Sequence, residues 1–180
     1  PTRRSSDLVP FHCDGTQAGG KILVDVAKLG VDAMSFASHK FHGPKGVGGL
    51  FLRRGLRIRP LIIGGPQERN RRGGTENVAG PVGMGVAAEL AQRAVEDGRE
   101  WARVAELRDW LEREILARIP DAAVNGDPAH RVANTTNIGF AGLEAEAILL
   151  LLSERDICAS AGAACSSGSL EPSHVLRAMG

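Results

Sequence analysis

The stretch that decides the fold is residues 35–49, SFASHKFHGPKGVGG, in which Lys40 stands between an apolar run and a glycine-rich turn. Residues 33–36, which overlap the start of this stretch, predict a buried strand. A charged amine at the end of such a strand is costly to desolvate, whereas a neutral amine can form a Schiff base with an aldehyde cofactor. The alternative interpretation is an ordinary solvated lysine in a surface loop.

Composition and charge limit the classes of protein to which the chain can belong. Its 180 residues are 43% hydrophobic and 24% charged, which is typical of a soluble globular protein. The net charge of +1 excludes a strong electrostatic attraction to nucleic acid or to an anionic membrane. Arginine clusters at 53–59 and 69–72 lack interleaved aromatic residues, so they indicate a solvated face or an anion site.

Cysteine usage and the lengths of the apolar runs indicate the compartment. The cysteines are odd in number, Cys13, Cys158 and Cys165, which is typical of a reducing environment. No apolar run reaches the roughly 18 residues that a membrane span needs, and no signal-like segment opens the chain. The sequence therefore predicts a cytoplasmic protein with neither a membrane nor a nucleic acid as partner.

Residues 1–8, PTRRSSDL, do not join the pattern that follows them. They contain no initiator methionine and resemble the conceptual translation of a short sequencing adapter. We expect a non-native segment here, so the fold prediction starts at Val9.

From Val9 onward, short apolar runs alternate with helix-like segments, which predicts an α/β fold. The predicted strands of the first half cover residues 9–13, 33–36 and 48–53, and residues 21–29 are predicted to form a short helix or turn. The first of these strands delivers Asp14 at its carboxyl end, where open α/β sheets place their chemistry.

Two long helices follow, over residues 78–95 and 100–119. Thr75 is predicted to cap the first, and Pro120 stops the second. Further along, strands are predicted at 132–140 and 157–159, with a helix at 144–153 between them and a final helix that opens at 171–174. Residues 160–169 are ten small residues that include Cys165; they bury little and cost entropy to fix, which predicts a mobile loop.

Four separated motifs resemble the cysteine desulfurases, which are fold-type I enzymes that use pyridoxal phosphate. The motifs are DGTQ at 14–17, the pair His39–Lys40, RGGTEN at 72–77, and the Cys165 loop followed by SLEPS at 169–173. The resemblance covers residues 11–180. The Cys165 loop is similar to that of the family members with a long catalytic loop. It implies the C-terminal part of the large sheet domain at 9–97, a linking helix at 98–119, and a partial α+β small domain at 120–180.

The resemblance also implies a role for each cofactor-binding residue. Lys40 would hold pyridoxal phosphate as a Schiff base and move the Cα proton of the substrate. Asp14 would face the pyridine nitrogen and Gln17 the phenolic oxygen. His39 would contact the phosphate, and Thr75 would do so from the neighbouring subunit of a homodimer.

Cys165 is implied to be the nucleophile that takes sulfur from L-cysteine. The products would be L-alanine and a persulfide, which passes to a sulfur acceptor or an iron–sulfur scaffold protein. Two other readings stay open: a selenocysteine lyase or related lyase of the same fold, and a non-catalytic relative that binds a scaffold. Taken singly, Asp14 and Gln17 could also be turn and solvent residues.

The chain departs from the family pattern in two respects. Ala37 stands where the family places a phosphate-binding serine, which leaves Ser38 or Ser35 as substitutes. The upstream phosphate loop and ring-stacking histidine and the downstream carboxylate-binding arginine are missing, so we expect a fragment truncated at both ends and inactive by itself. His39 and His42 have a spacing that suits a metal pair, but no further ligand cluster accompanies them, so no metal is expected.

Overall fold

A three-stranded sheet carries the stretch around Lys40. The computed structural model describes residues 9–161 and 174–179, and the strands are β1 (His12–Asp14), β2 (Ala33–Ala37) and β3 (Gly48–Leu52). β2 is central: it pairs in parallel with β1 and antiparallel with β3, with Ala37 opposite Gly48. Ala33 and Met34, at the start of this central strand, are buried. The predicted α/β class is confirmed.

The strand predicted at 9–13 is shorter than expected and begins only at His12. The backbone N–H of Phe11 donates to the carboxylate of Asp32 at 2.7 Å. A side chain thus replaces a strand partner at this position, which a local apolar pattern does not reveal.

Asp32 connects the two edges of the sheet. Its side chain is 12% exposed, and Oδ1 lies 2.8 Å from Nε of Arg53, which follows β3, while Oδ2 accepts the bond from Phe11 before β1. The carboxylate therefore fixes both edge strands against β2.

Helices account for most of the remaining elements. They are α1 (Val26–Leu29), the 3-10 helix Ser38–Phe41, α2 (Gln67–Asn70), α3 (Ala79–Asp97), α4 (Arg99–Arg118), α5 (Ala145–Ser153) and α6 (His174–Met179). Thr75 does not cap α3, contrary to expectation: Val78 occupies the N-cap position, and Asn77 Oδ1 accepts a hydrogen bond from the Gly80 N–H at 3.3 Å. Among the described residues, no helix combines the length and apolarity that a membrane crossing needs.

The chain divides into two compact units, and the division falls within α4. One unit extends to Glu106 and includes Val132–Asn134, and the other comprises Leu107–Arg131 and the chain from Thr135 onward. The domain boundaries that the family resemblance implies, 9–97, 98–119 and 120–180, stay predictions.

The second unit contains a small antiparallel sheet, β4 (Ala122–Val124) paired with β5 (Ile138–Phe140). The sequence missed β4, and the strand predicted at 132–140 is confined to its last three residues. No strand forms at 157–159, because Asp156 turns the chain with a φ of 57° and the Ile157 N–H donates to Leu152 O at the end of α5. The residues after α5 therefore close the helix instead of pairing.

A buried ion pair holds the second unit together. Glu112 on α4 has a side chain only 12% exposed and binds the guanidinium of Arg131, with Oε2 2.8 Å from Nη2. The Thr136 hydroxyl donates to the same carboxylate. The pKa of Glu112 is lowered to about 2, mainly because Arg131 donates hydrogen bonds to the carboxylate.

We predict that Asp32→Ala lowers the free energy of unfolding by about 2 kcal/mol, because the Phe11 N–H and Arg53 both lose a charged partner. Urea-induced unfolding measures the loss. Asp97→Ala is the matched control: its partner Arg99 is 87% exposed, so the change should stay within about 0.5 kcal/mol. Equal losses in the two variants would contradict the role of Asp32.

We predict that Glu112→Gln costs about 3 kcal/mol near neutral pH. The carboxylate has a lowered pKa in the folded state, so its contribution is complete above its unfolded pKa of 4.5 and is lost as the pH falls toward 2. The difference from wild type should therefore vanish between these values. Glu114→Gln, which breaks the exposed pair with Arg118 on the same helix, should show little of this dependence. A pH-independent difference would count against the ion pair as its source.

Candidate active site

The 3-10 helix that follows β2 presents His39 and Lys40. The Ser38 N–H donates to Val47 O and the Gly43 N–H donates to Ser38 O, each at 3.0 Å, which closes a tight turn. His42 adopts the left-handed conformation, with a φ of 66°, at the end of this turn. Ser38 and Phe41 are buried, whereas His39 and Lys40 are exposed.

The expectation that Lys40 is desolvated at the end of a buried strand is wrong for this structure. β2 ends at Ala37, and the 3-10 helix puts Lys40 on the open side of the turn. Ser38 and Phe41 are three residues apart and share the buried side of this helix, which leaves His39 and Lys40 on the other. Lys40 is therefore accessible to a ligand.

A cavity of about 1020 Å3 within the first unit brings three of the predicted site residues together. Gln17, His39 and Lys40 lie in its wall. The rest of the lining is mainly apolar and comes from α3 and α4, including Val86, Ala87, Leu90, Ala91, Trp101 and Val104. An amine, an imidazole and an amide thus face one largely apolar space, which is the usual composition of a small-molecule site.

Asp14 is the last residue of β1 and is not among the residues that line the cavity. Its Oδ1 accepts a hydrogen bond from the Thr16 N–H at 2.9 Å and one from the Ser35 hydroxyl at 3.4 Å. The bonds from Thr16, through its side chain and backbone, hold the pKa of Asp14 below its usual value. The carboxylate is therefore ionised at neutral pH.

Ser38 is buried in the turn, and the phosphate contact suggested for it by the sequence stays a prediction. Its side chain is completely buried, and its hydroxyl has no hydrogen-bond partner among the residues that the structure describes. A Cβ placed on Gly43 would come within 2.1 Å of this hydroxyl, so the side chain packs against the turn. Ser38 consequently shapes the turn and does not line the cavity.

Of the two remaining predicted site residues, the structure describes Thr75 but not Cys165. Thr75 is exposed and lies outside the lining, and the resemblance assigns it to the neighbouring subunit's site, which a single chain does not test. Cys165 falls outside the described residues. Within the described ranges, no three His, Cys, Asp or Glu side chains group as a metal site would require.

Lys21 is a cavity residue that the sequence reasoning missed. Its Nζ donates to Gln17 Oε1 at 2.7 Å and to Gln17 O at 3.0 Å. Burial lowers the pKa of the Lys21 ammonium, and the positive charge of Lys40 lowers it further. The four-residue spacing from Gln17 was the available signal, since such a spacing brings side chains together on one helical turn.

Comparison with known proteins shows the family to which the chain belongs. Residues 4–180 match the model of the aminotransferase class-V family, and the chain belongs to that family. The resemblance to cysteine desulfurases is confirmed by individual relatives. The chain is 56% identical over 170 residues to a cysteine desulfurase of Trichormus azollae and 55% identical over 171 residues to the cysteine desulfurase NifS of Azotobacter vinelandii. These matches cover 94% and 95% of the chain but 42% of each relative.

Solved structures agree with this placement. A NifS-like protein matches 84% of the chain with a TM-score of 0.76 and 38% identity, and the chain covers 40% of it. A NifS-like protein from Rickettsia africae matches 89% of the chain with a TM-score of 0.77 and 32% identity, with 42% of that protein covered. The chain thus spans about two-fifths of the length of its relatives.

We predict that Ser38→Ala leaves the free energy of unfolding unchanged or slightly raised, because the buried hydroxyl has no partner to lose. Gly43→Ala should cost about 1–3 kcal/mol by overpacking against Ser38, and Ser38→Ala in the same chain should recover part of the loss. Gly85→Ala is the matched control, since its added Cβ meets open space in α3 and should stabilise the helix. Urea unfolding of all four variants measures this; a strongly destabilised Ser38→Ala would show that its hydroxyl is bonded after all.

Proposed function

We propose that the complete gene product is a cysteine desulfurase that uses pyridoxal phosphate. The observation that carries the proposal is the meeting of Lys40, His39 and Gln17 in one cavity wall, in a chain whose relatives are cysteine desulfurases. The substrate would be L-cysteine, and the products L-alanine and a protein-bound persulfide.

The donor set fits this cofactor. An accessible amine suits its aldehyde, and a carboxylate that stays ionised suits a protonated ring nitrogen. The amide of Gln17 and the imidazole of His39 suit the phenolic oxygen and the phosphate. When bound, pyridoxal phosphate supplies an electron sink that makes the Cα proton of an amino acid removable.

Different residues of the chain would then bind the cofactor and transfer the proton. Lys40 holds the cofactor and carries a proton to and from Cα of the substrate. Asp14, at the end of β1, would keep the ring nitrogen protonated, and Gln17 and His39 would orient the cofactor. The role of Thr75 in a neighbouring subunit of a homodimer is part of the same proposal and is supported by the family resemblance.

Cys165 completes the proposal as the sulfur carrier. Its thiolate would form a sulfur–sulfur bond with the substrate while the carbon–sulfur bond of the substrate breaks. The electron pair of that bond returns to the carbon skeleton, which takes up a proton and leaves as alanine. The persulfide would pass to a sulfur acceptor or an iron–sulfur scaffold protein in the cytoplasm.

We expect Lys40→Ala in the complete gene product to abolish the visible absorption of bound pyridoxal phosphate. Alanine release from L-cysteine should fall on the order of 10²–10⁴-fold, because both the covalent anchor and the proton carrier are lost. Lys28→Ala, at an exposed lysine on α1, is the control and should change neither signal. Normal turnover in Lys40→Ala would overturn the assignment.

Cys165→Ala separates a desulfurase from a lyase of the same fold. The variant should retain the absorption of the bound cofactor but form no persulfide and almost no alanine, since no other nucleophile replaces the thiolate. The exposed Cys158, changed to Ala, provides the control. Unchanged alanine formation in Cys165→Ala would favour a lyase, and a complete gene product without cofactor absorption would favour a non-catalytic relative.

A further inference from the structure

In the turn after β1, the ammonium of Lys21 donates two hydrogen bonds to Gln17. Lys21 Nζ donates to both the side-chain oxygen and the backbone oxygen of Gln17, at 2.7 and 3.0 Å. The two bonds form a clamp, because they fix the side chain of Gln17 relative to its own backbone. Both residues lie in the cavity wall with Lys40.

The chemistry of the two groups decides which end of the amide faces the ligand. A glutamine amide has an oxygen that only accepts hydrogen bonds and a nitrogen that only donates them. An ammonium has donors and no acceptor, so it can bind the oxygen alone. Lys21 therefore removes the usual ambiguity of an amide orientation and leaves Nε2 of Gln17 as the donating group.

The Lys21 ammonium is partly buried and lies near a like charge. Burial and the nearby charge of Lys40 both disfavour its ammonium. The bonds that it makes among the described residues go to a neutral amide and a carbonyl, which compensate a charge less well than a carboxylate would. Both bonds from Lys21 end on Gln17, which is the residue that they orient.

We propose that Lys21 is a positioning residue that fixes the side chain of Gln17, with its oxygen on the ammonium and its NH2 free to donate to an acceptor oxygen of the ligand in the cavity. The inference deepens the proposed function, on which it rests, since that acceptor would be the phenolic oxygen of pyridoxal phosphate. Lys21 acts on the ligand through Gln17.

The test uses the complete gene product and pyridoxal phosphate as the probe. Lys21→Met should weaken binding of pyridoxal phosphate about tenfold and shift its visible absorption band, because Gln17 no longer holds its donor in place. Lys21→Arg, which keeps charge and donors, should restore most of both signals. Lys28→Met is the control and should match wild type in both.

A double-variant cycle separates positioning from a general effect on the turn. If Lys21 acts only through the Gln17 side chain, adding Lys21→Met to Gln17→Ala should weaken binding no further than Gln17→Ala alone. Two independent, multiplying losses would overturn the proposal and would make Lys21 a direct ligand or a structural residue of the turn.

A measurement without cofactor distinguishes failure of this inference from failure of the proposed function. In glutamine-labelled protein free of pyridoxal phosphate, the side-chain amide signals of Gln17, assigned by their loss in Gln17→Ala, should move toward those of a free glutamine in Lys21→Met. Unchanged signals would overturn the clamp. If the Gln17 signals move in Lys21→Met but the wild-type protein develops no cofactor absorption with pyridoxal phosphate, the clamp would stand and the proposed function would be refuted.

Discussion

The tight return of the chain after β2 is the constraint on which the candidate site depends. Ser38 is completely buried, and the chain comes back so closely that a single methyl group on Gly43 would strike its hydroxyl at 2.1 Å. Backbone bonds from Ser38 to Val47 and from Gly43 to Ser38 close the turn. Because this turn faces inward through Ser38 and Phe41, His39 and Lys40 are left accessible. The cavity is therefore built on a turn whose geometry tolerates little variation.

Each of the two compact units contains a buried carboxylate that joins separate segments of that unit. Asp32 receives the N–H before β1 and the guanidinium after β3, so it holds both edges of the sheet against β2. In the second unit, Glu112 plays a comparable part by joining α4 to Arg131 and Thr136. In each case the carboxylate is buried with its partners, so removing one partner would leave a charge that is costly to keep unpaired.

The chemistry of the site comes from segments that follow β1 and β2. These strands are parallel, so their carboxyl ends lie at the same edge of the sheet. Asp14 ends β1, Gln17 and Lys21 lie in the turn after it, and Lys40 follows β2. Because these segments leave the same edge of the sheet, polar residues that are separated in sequence come from one side of it.

The sequence by itself determined the family, the α/β class and the main helices, because these depend on motifs, apolar periodicity and helix stops that are local. Its motifs also selected Gln17, His39 and Lys40 through the resemblance to the cysteine desulfurases, and the structure places these three residues in one cavity wall. The sequence did not reveal β4, the late start of the strand predicted at 132–140 or the late start of β1, because strand pairing depends on partners that are distant in sequence. Only the tertiary structure decided that Lys40 is accessible, that Ser38 is buried in the turn and that Lys21 binds Gln17. Burial and hydrogen bonding are set by the packing of the whole unit, and a one-dimensional pattern does not contain that information.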